Sequence, residues 1–302
     1  MGADNDNDSD GLSRTLKDLF AGAAGGVAQV LIGQPFDIIK VRLQTTSLYS
    51  SALDAGRQIY AHEGALAFYK GTLTPLIGIG ACVSVQFGAF HEARRRLETW
   101  NKKYNPGRSE LTYAQYYLAG ATAGVANTVL SSPIEHVRIR LQTQPHGAAA
   151  LYSGPLDCIR KLISHGGGVS SGLYRGTGVT LLREAQAYGV WFLTFEYLMK
   201  RTMRHTRRED IPAWKIALYG GLAGEALWLA SYPLDVVKSK LQTDGLKKGE
   251  QVYKGAVDCA KKVWAKEGVM GFWKGLAPTL MRAMPVSAGT FFVVETTMRL
   301  IN

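Results

Sequence analysis

Pro35-Phe36-Asp37-Ile38-Ile39-Lys40-Val41-Arg42-Leu43-Gln44-Thr45 is matched by Pro133-Ile134-Glu135-His136-Val137-Arg138-Ile139-Arg140-Leu141-Gln142-Thr143 and by Pro233-Leu234-Asp235-Val236-Val237-Lys238-Ser239-Lys240-Leu241-Gln242-Thr243. The prolines stand 98 and 100 residues apart. A fixed period of this kind marks an architecture of repeats and has to be found before single elements are assigned. Upstream, the pairs Gly22/Gly26, Gly120/Gly124 and Gly220/Gly224 each end nine residues before a proline. Downstream, Tyr69-Lys70-Gly71, Tyr174-Arg175-Gly176 and Trp273-Lys274-Gly275 repeat an aromatic-basic-Gly element. Each match alone is weak, but three in register are not coincidence.

Each repeat holds two long, apolar-biased stretches: 13–43 and 72–100, 112–142 and 177–205, 212–242 and 276–301. They predict six helices. Short amphipathic segments at 52–62, 155–164 and 256–266 predict a surface helix within each pair. The mean hydropathy is only −0.04, and no uncharged apolar run reaches the ~20 residues of a bilayer span. Helices in lipid nevertheless pack through small residues, tolerate an internal proline where neighbours satisfy the freed backbone, and turn ionisable residues toward a watery cavity. The expected fold is therefore an all-α membrane protein: six transmembrane helices in three pseudo-symmetric two-helix repeats (13–100, 112–205, 212–301) around a central cavity. The opening residues 1–12 carry Asp4, Asp6, Asp8 and Asp10 and no base, which predicts a disordered acidic tail and no cleaved address.

Thirty-five Lys and Arg against 24 Asp and Glu give a net charge of +11. That balance suits nucleic acid, anionic lipid or an anionic solute, and no nucleic-acid motif accompanies it. Cys82, Cys158 and Cys259 show neither a disulfide framework nor a metal spacing. No Walker A sequence or GxSxG elbow occurs, and Gly166-Gly167-Gly168 has no Lys-Ser/Thr behind it. His91, His136 and His165 stand singly and read as solvated or capping side chains. We expect no enzyme activity, no cofactor and no metal. A soluble helical-repeat scaffold shares the period but explains neither the Pro-acid-base register nor the glycine pairs.

Pro-x-acid-x-x-base, three times over with the downstream aromatic-basic-Gly, resembles the mitochondrial carrier family across residues 13 to 301. The resemblance implies a multi-pass, monomeric carrier of the mitochondrial inner membrane with both termini in the intermembrane space. It implies a matrix gate of Asp37 with Arg138, Glu135 with Lys238 and Asp235 with Lys40. The family's cytoplasmic gate, aromatic-acid-x-x-base, leaves Glu92, Glu196 and Glu295 here, with only Arg95 in the basic register because Met199 and Met298 replace the other two. The glycines Gly71, Gly176 and Gly275, with Gly154 and Gly255 of two Tyr-x-Gly elements, look like the family's cardiolipin sites, where helix N-termini attract phosphate. The first repeat lacks that second element, reading Tyr49-Ser50-Ser51.

Symmetric residues serve a symmetric scaffold, so a small solute is read where the repeats disagree. Seven residues past each downstream Gly lie Gly78, Arg183 and Arg282, with Glu184 beside Arg183; these align with the family's contact points. Two guanidinium forks suit a carboxylate and Glu184 suits an amine, which predicts a zwitterion: an amino acid, with carnitine or acylcarnitine exchange as the alternative. Gly78 stands where ornithine-type carriers have an acid, which argues against a strongly basic substrate. Trp228, five before its proline, offers an apolar or cation-π wall, and Glu225, eight before it, is an unshared intramembrane acid.

Overall fold

The structure, a computed structural model, describes residues 4–46, 48–104, 110–145 and 150–301. Three prolines fall inside three long helices at the same relative place: Pro35 in α1 (Asp4–Thr45), Pro133 in α4 (Tyr113–Thr143) and Pro233 in α7 (Ala213–Thr243). The other helices are α2 (Ala52–Glu63), α3 (Leu73–Tyr104), α5 (Pro155–His165), α6 (Thr177–Met203), α8 (Ala256–Glu267), α9 (Leu276–Met281) and α10 (Ala283–Ile301), and no strand occurs among the described residues. Helices α2, α5 and α8 are the three surface helices. Ser51 caps α2 by accepting from the Asp54 backbone N–H, and Thr112 with Gln115 forms a capping box on α4.

A proline frees the carbonyl four residues earlier. In repeat 2 that carbonyl belongs to Val129, and the Tyr174 hydroxyl donates to it at 3.1 Å. The aromatic of aromatic-basic-Gly thus repairs a kink.

Helix α1 begins at Asp4. One expectation needs correction. The last long helix is broken at Arg282 into α9 and α10, within one turn of Pro285, which has no N–H to offer the Met281 carbonyl.

The glycine pairs also behave unequally. A Cβ on Gly120 would lie 2.4 Å from the Tyr188 carbonyl oxygen, and one on Gly124 would lie 2.3 Å from that of Glu184, so α4 and α6 meet backbone to backbone. Gly22, Gly26, Gly220 and Gly224 face open space. Helix α1 instead meets α10 through Gly25, where a Cβ would come within 2.5 Å of Val294.

Among the described residues no single helix is long and apolar enough to cross a membrane by composition, although the bent pair Ala65–Gly78 and Gly80–Tyr104, turning by 50°, is so together. The reason lies in the interior: the long helices turn polar or charged residues inward, which dilutes their hydropathy. Outward they show Leu31 on α1, Ile77 on α3, Val129 on α4, Leu182 on α6, Leu222 on α7 and Phe292 on α10, all exposed.

Candidate functional site

Just past each kink, the acid of one helix meets the base of another. Asp37 accepts from Arg138 Nη2 at 2.6 Å, Lys40 Nζ lies 2.7 Å from Asp235 Oδ2, and Lys238 donates to Glu135. Helix α1 is so tied to α4, α4 to α7 and α7 to α1. Gln44 Nε2 donates to Asp235 at 3.1 Å, and Gln34 Oε1 accepts from Arg138 at 2.8 Å. The recurring Leu-Gln-Thr signalled Gln44, but not what it holds.

Above this triangle lies a cavity of about 720 Å³ lined by α1, α3, α4, α6, α7 and Arg282. Arg183 and Arg282 both face it, and neither is free. Arg282 Nη1 donates to Asp37 Oδ1 at 2.6 Å. Arg183 donates to Glu135 at 3.1 Å, pairs with Glu184 Oε1 at 2.7 Å and reaches within 3.7 Å of Asp235. The sequence sets these arginines apart from the acids past the prolines, whereas the structure joins them: a guanidinium fork is long enough to reach the ring of acids below it.

The remaining candidates are placed as follows. Gly78 lines the cavity, and a Cβ there would meet Ile134 Cδ1 at 2.7 Å, so the position admits no side chain without moving Ile134. Trp228 lines the cavity too, but Lys40 Nζ already stands 4.2 Å from its ring centroid, so its cation-π face is taken by the protein itself. Glu225 is half-buried, next in the chain to the cavity-lining Gly224.

At the opposite end Glu92 stays on its own helix, pairing with Arg95 and, at 2.7 Å, with Arg96. Residues three and four apart on one helix are nearer than a neighbour across an open mouth. Glu196 and Met199 are both buried, and Lys200, one residue past the basic register, donates instead to the Leu111 carbonyl at 2.9 Å. The side chain of Glu295 lies outside the described residues.

The downstream glycines are explained by packing. Gly71, Gly176 and Gly275 have φ of 74°, 83° and 83°, which favours glycine. A Cβ on Gly71 would lie 3.1 Å from the Arg138 carbonyl, and one on Gly275 would lie 2.9 Å from that of Lys40. Each wedges the next repeat's kinked helix. Gly154 and Gly255, which precede α5 and α8, face open space.

Sequence reasoning missed a second tier of ion pairs beneath the triangle. Glu63 takes Arg42 and, at 2.6 Å, Lys70; Glu267 takes Lys240 at 2.8 Å and Lys274 at 2.7 Å. Hydrogen bonds from Arg42 and Lys70 hold the Glu63 carboxyl down at about 2, so it is ionised at any physiological pH. In repeat 2 the exposed His165 replaces the acid, and the buried Asp244 substitutes for it, binding Arg175 at 2.6 Å. His136, expected to be solvated or capping, is buried: its ring nitrogens lie 2.9 Å from the Leu173 carbonyl and 3.0 Å from that of Gln242.

Paired long helices around a polar cavity, plugged at one end by interhelical ion pairs, define a membrane solute carrier. The chain belongs to the mitochondrial carrier protein family, whose model matches residues 12–100, 109–206 and 209–302. It is 48% identical over 292 residues to the glutamate/glycine mitochondrial carrier of Schizosaccharomyces pombe, covering 94% of each chain. It is 48% identical to the mitochondrial glycine transporter of Saccharomyces cerevisiae, covering 96% of this chain and 93% of that one. The mitochondrial basic amino acids transporter of Mus musculus is 41% identical over 92% of this chain and 87% of its own.

The three thiols give a direct check on the cavity. Burial pushes Cys158 up to about 12 and Cys259 up to about 11, and both are fully buried, whereas Cys82 lines the cavity. A small maleimide at neutral pH is expected to label Cys82 first, as read by peptide mass spectrometry; equal labelling of all three would contradict the packing of α5 and α8.

Proposed function

We propose that the chain exchanges a small amino acid across the mitochondrial inner membrane by alternating access. The observation that carries this is the set Arg183, Glu184 and Arg282 facing one cavity above the interhelical ion pairs: guanidinium donors for a carboxylate and an acid for an amine. The names of the relatives, carriers of glycine, glutamate and basic amino acids, support the same class. Asp37, Lys40, Glu135, Arg138, Asp235 and Lys238 serve as the matrix gate. Because Arg183 and Arg282 also bind the gate acids, a substrate carboxylate competes for them and loosens the gate as it binds.

Glu92, Arg95, Glu196 and Glu295 serve as a weak cytoplasmic gate. Supplying the missing bases with Met199→Lys plus Met298→Lys is expected to slow exchange several-fold; unchanged rates in proteoliposomes would refute a gate at that end. The carrier works as a monomer, and cardiolipin phosphate sits at the N-termini of α5 and α8, where Gly154 and Gly255 leave the backbone open.

Uptake of labelled amino acids, carnitine and acylcarnitines into proteoliposomes tests the reading. Accumulation of glycine or glutamate is expected, and transport of carnitine alone would replace the amino acid with the alternative zwitterion.

A further inference from the structure

Three polar atoms on one wall of the cavity have no hydrogen-bond partner among the described residues: Glu184 Oε2, Asn127 Oδ1 and Ser131 Oγ. All three residues line the cavity and are 2%, 3% and 5% exposed. Buried acceptors are rarely left unpaired, so several together on a cavity wall point to a donor that arrives from outside.

Asn127 and Ser131 are four apart on α4 and share a helical face. Gly124, one turn earlier, presses against the backbone of Glu184, which brings this stretch of α4 beside Glu184 on α6. Arg183 occupies Glu184 Oε1 at 2.7 Å and leaves Oε2 over. The other repeats do not reproduce the set. Six residues before the proline they carry Gln29 and Leu227, and two before it Gly33 and Ser231, whose hydroxyl already donates to the Leu227 carbonyl at 2.7 Å.

We propose that Asn127, Ser131 and the free oxygen of Glu184 form the subsite that receives the ammonium group of the substrate. An ammonium has three N–H donors and no acceptor, which matches three acceptors on one wall. This rests on the amino-acid reading above and adds two residues of α4 as determinants of specificity.

The test uses full-length carrier in proteoliposomes, with labelled glycine and glutamate as probes and glutarate, which lacks the amine, as competitor. Asn127→Leu and Ser131→Ala are each expected to raise the half-saturation concentration of the amino acid about tenfold or more, the worth of a hydrogen bond to a charged group. Inhibition by glutarate is expected to stay within about twofold of wild type, since it makes no such bond. Asn127→Asp keeps an acceptor and is expected to retain amino-acid affinity, so it carries the test if the leucine variant does not fold. Equal loss for amino acid and glutarate, or wild-type affinity in both Asn127→Leu and Ser131→Ala, overturns the subsite while the carrier reading stands. No uptake of either amino acid by the wild type overturns both.

Discussion

Arg183→Ala is expected to reduce uptake by about a hundredfold or more, because removing one member of a buried ion-pair set costs roughly 3–5 kcal/mol. The side chain neutralises Glu184, Glu135 and, more distantly, Asp235 at once. Its loss leaves Glu184, which has no other cation within ion-pair distance among the described residues, buried and uncompensated. Two effects then act together: the substrate loses a carboxylate partner, and Glu135 keeps only Lys238. Arg183→Lys restores charge without the fork and is expected to recover part of the folding and little of the transport. Transport rates measured beside thermal unfolding of the purified variants separate the two; wild-type uptake by Arg183→Ala would remove this residue from the site.

Gly124→Ala is expected to destabilise the carrier by on the order of 3 kcal/mol or more, at the upper end of overpacking costs. The added methyl would lie 2.3 Å from the Glu184 carbonyl oxygen and 2.6 Å from its carbon, and backbone cannot yield as a side chain does. The same change at Gly22 or Gly220, where nothing stands within 4 Å, is expected to be neutral or stabilising by roughly 0.5–1 kcal/mol. Unfolding midpoints in detergent measure the contrast, and equal effects at the three positions would mean that α4 and α6 are not in backbone contact.

That contrast also shows where sequence is informative. The three glycine pairs read alike, yet only one closes, because a GxxxG pair states that close approach is permitted and not that a partner comes near. The triangle of interhelical ion pairs was legible since one physical demand, met three times, leaves three similar stretches of sequence. The bond from Arg282 to Asp37 was not, for it spans 245 residues and joins the last repeat to the first, as Arg183 reaches from the second repeat toward Asp235 of the third. Asp244 was hidden for a related reason: it compensates for His165 from the following repeat, so no single repeat displays the pairing. Asn127 and Ser131 carry no motif at all, and only their lack of partners sets them apart.

The cavity wall holds five basic side chains, Lys40, Arg138, Arg183, Lys238 and Arg282, against four acidic ones, Asp37, Glu135, Glu184 and Asp235. With the protein's own charges so nearly cancelled, the electrical work of a transport cycle falls on the cargo. A zwitterion crosses without any, while a substrate of one net charge gains or loses about 2.3 kcal/mol per 100 mV of membrane voltage. The voltage sensitivity of uptake therefore reads out the charge of whatever the carrier holds.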